Sequence, residues 1–416
     1  MDIVVSVGAY IGPVIALAVT SGLILWLSPL AKAVGLVDVP NARKVHQGEI
    51  PLVGGLAIFV AVFAANVISG FVLPEGVRPV DYSGFYLAGM LLVLIGTIDD
   101  FVDLSPLHKI VVQTVSTLIM VFGAHIVLRD LGVIGNDNNA LSLGIMAVPF
   151  TIFTTIGVIN AVNMSDGLDG LAGSLSLVSL LGFLAATMIF GSGEGAAHLL
   201  MLAAAVGGFL LFNFRIPGRR AAFVFLGDSG SMFLGFSLAW FAIKFSQGDS
   251  RIIAPSAALW FLILPLFDAV AMTTRRIMKK RPAFGADKEH LHHIFLLAGF
   301  TVTETVGILA CIAALGVGVG LAGTYFRVPD VIMGGSFLAL GLLYLRMIVH
   351  SWAVMRFLRY SICRRQSADD RRVIPDRRIA TNVVYMGVER RSGNDRRSDP
   401  RRDADTQTQV ALGNRR

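Results

Sequence analysis

The chain has 416 residues, 55% hydrophobic and 15% charged, with 35 Lys+Arg against 28 Asp+Glu and a mean hydropathy of +0.70. A soluble domain carries nearer a quarter charged residues, so this composition excludes an array of soluble domains and implies an all-α polytopic membrane protein. The net charge of +7 sits in one place: Ser351–Arg416 holds 16 Arg and no Lys against 8 acids, and the remaining body nets −1.

A helix needs about 20 apolar residues to cross the bilayer core. Eleven stretches qualify, at 8–29, 54–73, 84–100, 109–128, 145–162, 171–190, 197–213, 229–245, 252–274, 303–326 and 329–350. The first lacks a basic flank and a small-residue cleavage site, which predicts an uncleaved span. Cys311 and Cys363 are too few for a disulfide framework. Alternate loops differ in charge. One set holds Lys32, Arg43, Lys44, Lys109, Arg215, Arg219, Arg220, Arg275, Arg276, Lys279, Lys280, Arg281 and Lys288; the other holds Arg78, Arg129, Arg251 and Arg327. The positive-inside rule puts the richer set in the cytoplasm, the N-terminus outside and the C-terminus inside. The expected division is a transmembrane domain over 1–350 and a disordered arginine-rich tail over 351–416, poor in apolar groups.

Polar clusters interrupt the cytoplasmic side of this apolar body. The first, DVPNARKVHQGEIPLVGG, carries Asp38, Asn41, Arg43, Lys44, His46, Gly54 and Gly55, and alone reads equally as a polar turn. The second, GTIDDFVDLSPLHK, sets Asp99, Asp100 and Asp103 before Lys109. Like charges one helical turn apart repel unless they share a cation, which Mg²⁺ or the lysine could be. A solvated helix end is the plainer alternative.

The third, INAVNMSDGLDGLAGS, repeats Asn160, Asn163, Asp166 and Asp169 every three residues among Gly167, Gly170 and Gly173. It offers oxygen ligands beside backbone that a ligand can approach closely. The EF-hand calcium pattern with its terminal Glu is absent. The fourth, FVFLGDSGSMFLG, holds Asp228 at a small-residue helix start, which suits either a helix cap or phosphate oxygens.

The fifth, RRIMKKRPAFGADKEHLHHIF, places five cations before Asp287, His290, His292 and His293. The histidines read as hydrogen-bond donors to a pyrophosphate, or as an incidental part of a positive-inside loop. Zinc fits less well, with no cysteine nearby. Together the clusters point to a divalent metal, an anionic ligand and phosphoryl transfer at the cytoplasmic face, with a lipid-borne acceptor. The rival, a transporter or lipid flippase, would place its ionisable groups near the bilayer midplane.

In order, these strings closely resemble the polyprenyl-phosphate N-acetylhexosamine-1-phosphate transferases, glycosyltransferase family 4, from about Val37 to Phe300. HLHHIFLLAGF is similar to the WecA/TagO type rather than the MraY type. The resemblance implies a Mg²⁺- (or Mn²⁺-) dependent transfer of N-acetylglucosamine 1-phosphate from UDP-GlcNAc to undecaprenyl phosphate, releasing UMP and initiating a lipid-linked envelope polysaccharide. Another UDP-N-acetyl sugar or MurNAc-pentapeptide remains an alternative donor group. It implies catalytic roles for Asp99, Asp100, Lys109, Asp166, Asp169, His290, His292 and His293. It implies substrate binding by Asn41, Arg43, Lys44, His46, Asn160, Asn163 and Asp169, and metal binding by Asp228, Asn163 and Asp100. The implied setting is the bacterial inner membrane, site toward the cytoplasm, with a homodimer as a candidate assembly and no nucleic-acid partner. Direct attack by the lipid phosphate and a covalent Asp99 or Asp100 intermediate are both open.

Overall fold

The computed structural model describes residues 2–39, 48–72, 82–133, 139–191, 193, 195–215, 219, 221–248, 251–280 and 290–350, with side chains from residue 11 onward. The segment with Asn41, Arg43, Lys44 and His46, the stretch with Asp287 and Lys288, and the arginine tail lie outside the described residues. The chain divides into units Met1–Cys363 and Arg364–Arg416, and the architecture below belongs to the first.

Its helices are α1 (Asp2–Val34), α2 (Gly54–Val72), α3 (Ser83–Val102), α4 (Pro106–Leu118, ending in a π-turn at Ile119–Gly123), α5 (Ala147–Ser165), α6 (Leu171–Phe190) and α7 (Ala196–Asn213). There follow α8 (Gly227–Ser246), α9 (Pro255–Phe261), α10 (Ile263–Met278), α11 (Leu291–Ala298), α12 (Val302–Tyr325) and α13 (Asp330–Val349). Two short hairpins sit in loops: β1 (Val37–Asp38) with β2 (Ile50–Pro51), and β3 (Asp130–Val133) with β4 (Ala140–Ser142). The protein is an all-α, multi-pass membrane protein.

Among the described residues, nine helices are long and apolar enough to cross a membrane, and a tenth candidate is the bent pair α9–α10. Two of the eleven expected spans therefore need correction. The stretch 252–274 is not one helix but two, meeting at 84°. Pro265 has no N–H to offer the carbonyl of Phe261, four residues earlier, and its ring crowds that carbonyl. Ser179 on α6 supplies the missing bond, donating from Oγ to Phe261 O at 2.6 Å. A backbone break inside a membrane protein survives where a neighbouring helix satisfies the freed group.

The second case is α8, which forms as a 20-residue helix but falls outside the set apolar enough to face lipid. It has no need to. Nearly every residue of α8 is buried, and it packs against α2, α3, α5, α6 and α9. Two of these crossings bring backbone against backbone. A Cβ on Gly55 would lie 2.1 Å from the Gly230 nitrogen, and one on Gly96 would lie 2.4 Å from Ser229 Cα. Small residues let helices approach this closely in lipid, where apolar burial gives no drive for association. These contacts fix the start of α8 against α2 and α3.

Candidate active site

The apolar run of α3 ends where Asp103 adopts a left-handed backbone (φ 51°) and its N–H bonds Asp99 O at 2.9 Å. Asp103 is thereby turned out and exposed rather than joining Asp99 and Asp100, contrary to the helical spacing expected of the three. Asp99 Oδ1 accepts from Leu104 N at 2.7 Å, tightening the turn. Pro106 then starts α4, a position where a missing N–H costs nothing. The reversal returns Lys109 to the end of α3. Its Nζ donates to Asp99 Oδ2 at 2.5 Å and to Asp228 Oδ2 at 2.8 Å. The cation that the acidic cluster required is this lysine, at least for Asp99 and Asp228.

Asp228 enters through the first turn of α8. Gly227 before it has φ +73° and lies so near Asp100 that an added Cβ would meet Asp100 Oδ2 at 2.5 Å. Asp100 Oδ1 accepts from Asp228 N at 2.9 Å, so a carboxylate from α3 caps one of the N–H groups that a helix start leaves unpaired. On the other side, Asn163 near the end of α5 donates through Nδ2 to Asp228 Oδ1 at 2.9 Å and to Ser231 Oγ at 2.8 Å. Helices α3, α4, α5 and α8 thus meet at Asp228, two of them with partners for its carboxylate.

A cavity of about 350 Å³ opens beside it. From α4 it is lined by Pro106, Lys109, Ile110 and Gln113; from α5 and the following turn by Asn160, Asn163, Met164, Asp166 and Gly167. Met232 of α8, Arg276 of α10 and His290, His292 and His293 complete it. Gln113 was not anticipated. It lies one turn after Lys109 on the same face of α4, is buried, and accepts from Asn160 Nδ2 at 3.1 Å.

Asp166 follows the last residue of α5 and keeps solvent access through the cavity. The surrounding protein, then the like charges of Asp228, Asp100 and Asp169, push its pKa up to about 8. Asp169, three residues on, does not line the cavity. Its Oδ2 accepts from Arg215 Nε at 2.7 Å and Ala222 N at 3.1 Å, which ties the Asp-Gly turn to the loop after α7.

The three histidines stand together at the start of α11. The His290 and His292 rings are near parallel with centroids 5.4 Å apart, and His292 and His293 are 4.3 Å apart. Burial, and next the neighbouring His293, push the His292 pKa down to about 3, so this ring is neutral at pH 7. Its Nε2 is buried with no hydrogen-bond partner and sits where a Cβ on Gly167 would be, 2.5 Å away. A neutral imidazole here can bond a phosphate oxygen but cannot neutralise its charge. Among the described residues, the permanent positive charges on the cavity wall are Lys109 and Arg276.

For a divalent cation, no three His, Cys, Asp or Glu side chains among the described residues form a ready-made cage. The set Asp228, Asn163 and Asp100 nevertheless fits Mg²⁺. It is all oxygen-bearing, Asp100 Oδ2 is buried without a hydrogen-bond partner, and Mg²⁺ usually takes only one or two carboxylates alongside water and substrate phosphates.

The model of the family described as glycosyl transferase family 4 matches residues 82–246. Over 335 residues the chain is 34% identical to an undecaprenyl-phosphate alpha-N-acetylglucosaminyl 1-phosphate transferase of Salmonella typhi, covering 79% of this chain and 88% of the relative. Enzymes of the same name from Escherichia coli O157:H7 (35% over 336 residues, 79% and 88% covered) and Haemophilus influenzae (35% over 337 residues, 80% and 92% covered) are similarly close.

Proposed function

Because the chain belongs to glycosyl transferase family 4, we propose that it transfers N-acetylglucosamine 1-phosphate from UDP-N-acetylglucosamine to undecaprenyl phosphate, releasing UMP. The observation that carries this reading is that Asn163 and Lys109, both bonded to Asp228, line one cavity with Arg276 and three histidines. That combination offers oxygen ligands to a cation and, through Lys109, Arg276 and His292, donors to a pyrophosphate in one place.

In the reaction, an oxygen of the lipid phosphate bonds the β-phosphorus of the donor, and the bond from that phosphorus to the bridging oxygen breaks. UMP leaves with the electron pair. A phosphate monoester is largely ionised at pH 7 and needs positioning and charge neutralisation more than a strong base. Lys109 and Arg276 supply positive charge, and neutral His292 supplies a hydrogen bond. Asp99 holds Lys109 in place. Asp228, Asn163 and Asp100 would hold Mg²⁺ or Mn²⁺, which when bound supplies charge neutralisation along the pyrophosphate.

Direct attack is favoured over a covalent aspartyl intermediate. Asp99 has both oxygens engaged, by Leu104 N and Lys109 Nζ. Asp100 accepts from Asp228 N through Oδ1, and its Oδ2 is the oxygen assigned to the cation. A bacterial inner-membrane location with the site toward the cytoplasm is supported by the basic loops. The site groups lie at the C-terminal ends of α3, α5 and α10 and the N-terminal ends of α4 and α8, all on the basic side.

The test is purified full-length protein given undecaprenyl phosphate and a panel of UDP-sugars, assayed for UMP. Release with UDP-N-acetylglucosamine, abolished by EDTA and restored by Mg²⁺, is expected. Equal turnover in EDTA would remove the metal, and no UMP from any UDP-N-acetyl sugar would remove the activity.

A further inference from the structure

Asp268 is the only charged residue in the first twelve positions of α10, ILPLFDAVAMTT, and it is buried. An isolated carboxylate in such surroundings is strongly disfavoured unless it is paired. Here three donors converge on it. His290 Nδ1 lies 2.8 Å from Oδ2, while Leu291 N (3.2 Å) and the Tyr344 hydroxyl (2.9 Å) reach Oδ1. The three come from the start of α11 and from α13, so one side chain fastens three helices around the first histidine of the His-x-His-His string.

We infer that Asp268, braced by Tyr344, is a positioning residue that fixes the ring orientation and tautomer of His290 in the transferase cavity. An ionised carboxylate only accepts, so the hydrogen in its bond to His290 is carried by Nδ1. The opposite nitrogen, Nε2, is then left without a hydrogen on the neutral ring, on the side chain that lines the cavity. Partners of this kind fix which ring nitrogen is available and how the ring is turned. Tyr344 and Leu291 occupy the other oxygen and prevent the carboxylate from rotating away. The first helical residue of α11 is bonded by the same carboxylate, so ring and backbone are held together.

The inference rests on the proposed transferase reading of the cavity, but its test does not depend on activity alone. Asp268→Asn keeps the size of the side chain but presents an NH₂ group to at least one of three donors. The full-length variant in detergent should lose about 10- to 100-fold in kcat/KM, the range seen when a ligand-orienting partner is removed. Histidine ¹⁵N spectra, assigned by comparison with His290→Gln, should show the His290 Nδ1–H signal of the wild type displaced or lost in Asp268→Asn. Tyr344→Phe, which removes one donor and no charge, should move the same signal less and lower kcat/KM several-fold. This variant decides the matter if Asp268→Asn does not fold. An unchanged His290 signal in the folded variants, or wild-type kcat/KM in Asp268→Asn, overturns the inference. If wild-type protein releases no UMP, the transferase reading fails, while the spectra still report whether Asp268 sets the His290 tautomer.

Discussion

Replacing Lys109 with Met keeps an unbranched side chain, one atom shorter, and removes the cation that Asp99 and Asp228 share. At an effective dielectric of about 20, each contact of under 3 Å is worth roughly 6 kcal/mol before desolvation is charged against it. Removing one member of a buried pair costs about 3–5 kcal/mol, because the other is left charged and unpaired. Lys109 and Asp228 side chains are 25% and 28% exposed while that of Asp99 is 5% exposed, so solvent screens one contact and spares the other. The lower end, about 3 kcal/mol, is therefore expected. At roughly 2 °C per kcal/mol, the melting temperature in detergent with EDTA should fall by about 6 °C. Added Mg²⁺ should recover part of this, since it can serve the same carboxylates. If the ammonium also faces the reacting phosphates, a comparable loss from the transition state lowers kcat/KM roughly 150-fold. Lys109→Arg retains the charge and should melt nearer the wild type. A Lys109→Met protein that melts with the wild type and keeps more than a tenth of its activity would refute the bridging role.

The raised pKa of Asp166 makes a pH prediction. Its folded-state value of about 8 stands above the unfolded value of about 3.9, so the folded state holds the proton more tightly and ionisation opposes folding. Asp166→Asn, which is never ionised, should gain nothing over the wild type below about pH 4, gain progressively between 4 and 8, and level off above 8. Solvent access through the cavity reduces the size of the effect, and melting curves in EDTA between pH 5 and 9 would show its shape. A gain that does not grow with pH would place the Asp166 pKa near its ordinary value. At the helix crossing, Gly55→Ala would force a Cβ within 2.1 Å of the Gly230 nitrogen, whereas nothing lies within 4 Å of a Cβ on Gly70 of the same helix. Gly55→Ala should lower stability by about 3 kcal/mol or more and displace Asp228, and Gly70→Ala should be neutral or slightly stabilising; equal melting temperatures would refute the close contact.

The spans were legible because membrane thickness imposes a length on every lipid-facing helix, and a run of apolar residues records it directly. The break at Leu262 was signalled by Pro265, but a proline in an apolar run also occurs in unbroken spans. What makes it a break is the carbonyl of Phe261 and the hydroxyl of Ser179, 82 positions apart. The Asn/Asp repeat misled in a different way. Spacing by three keeps Asn160 and Asn163 on one face only while the helix lasts, and α5 stops at Ser165. Beyond it Asp166 stays at the cavity while Asp169 turns to Arg215. Asp103 failed for the same reason at the end of α3. Asp268 was missed because it forms no cluster in sequence; its solitude in an apolar helix was the signal.

The same distinction explains the weakest apparent span. A helix that meets lipid must be apolar on the face it turns to lipid, whereas α8 is buried along nearly its whole length and is free to carry Ser229, Ser231, Ser237 and three glycines. Those small residues lower its hydropathy and are also what let α2 and α3 close onto its first turn. The contact leaves Asp228 with Asp100 behind its backbone, Asn163 on one oxygen and Lys109 on the other. A more apolar α8 built of larger side chains would look more like a span and would hold its neighbours too far away to assemble these partners. The low hydropathy of α8 and the convergence at Asp228 are therefore one property, seen first in composition and then in packing.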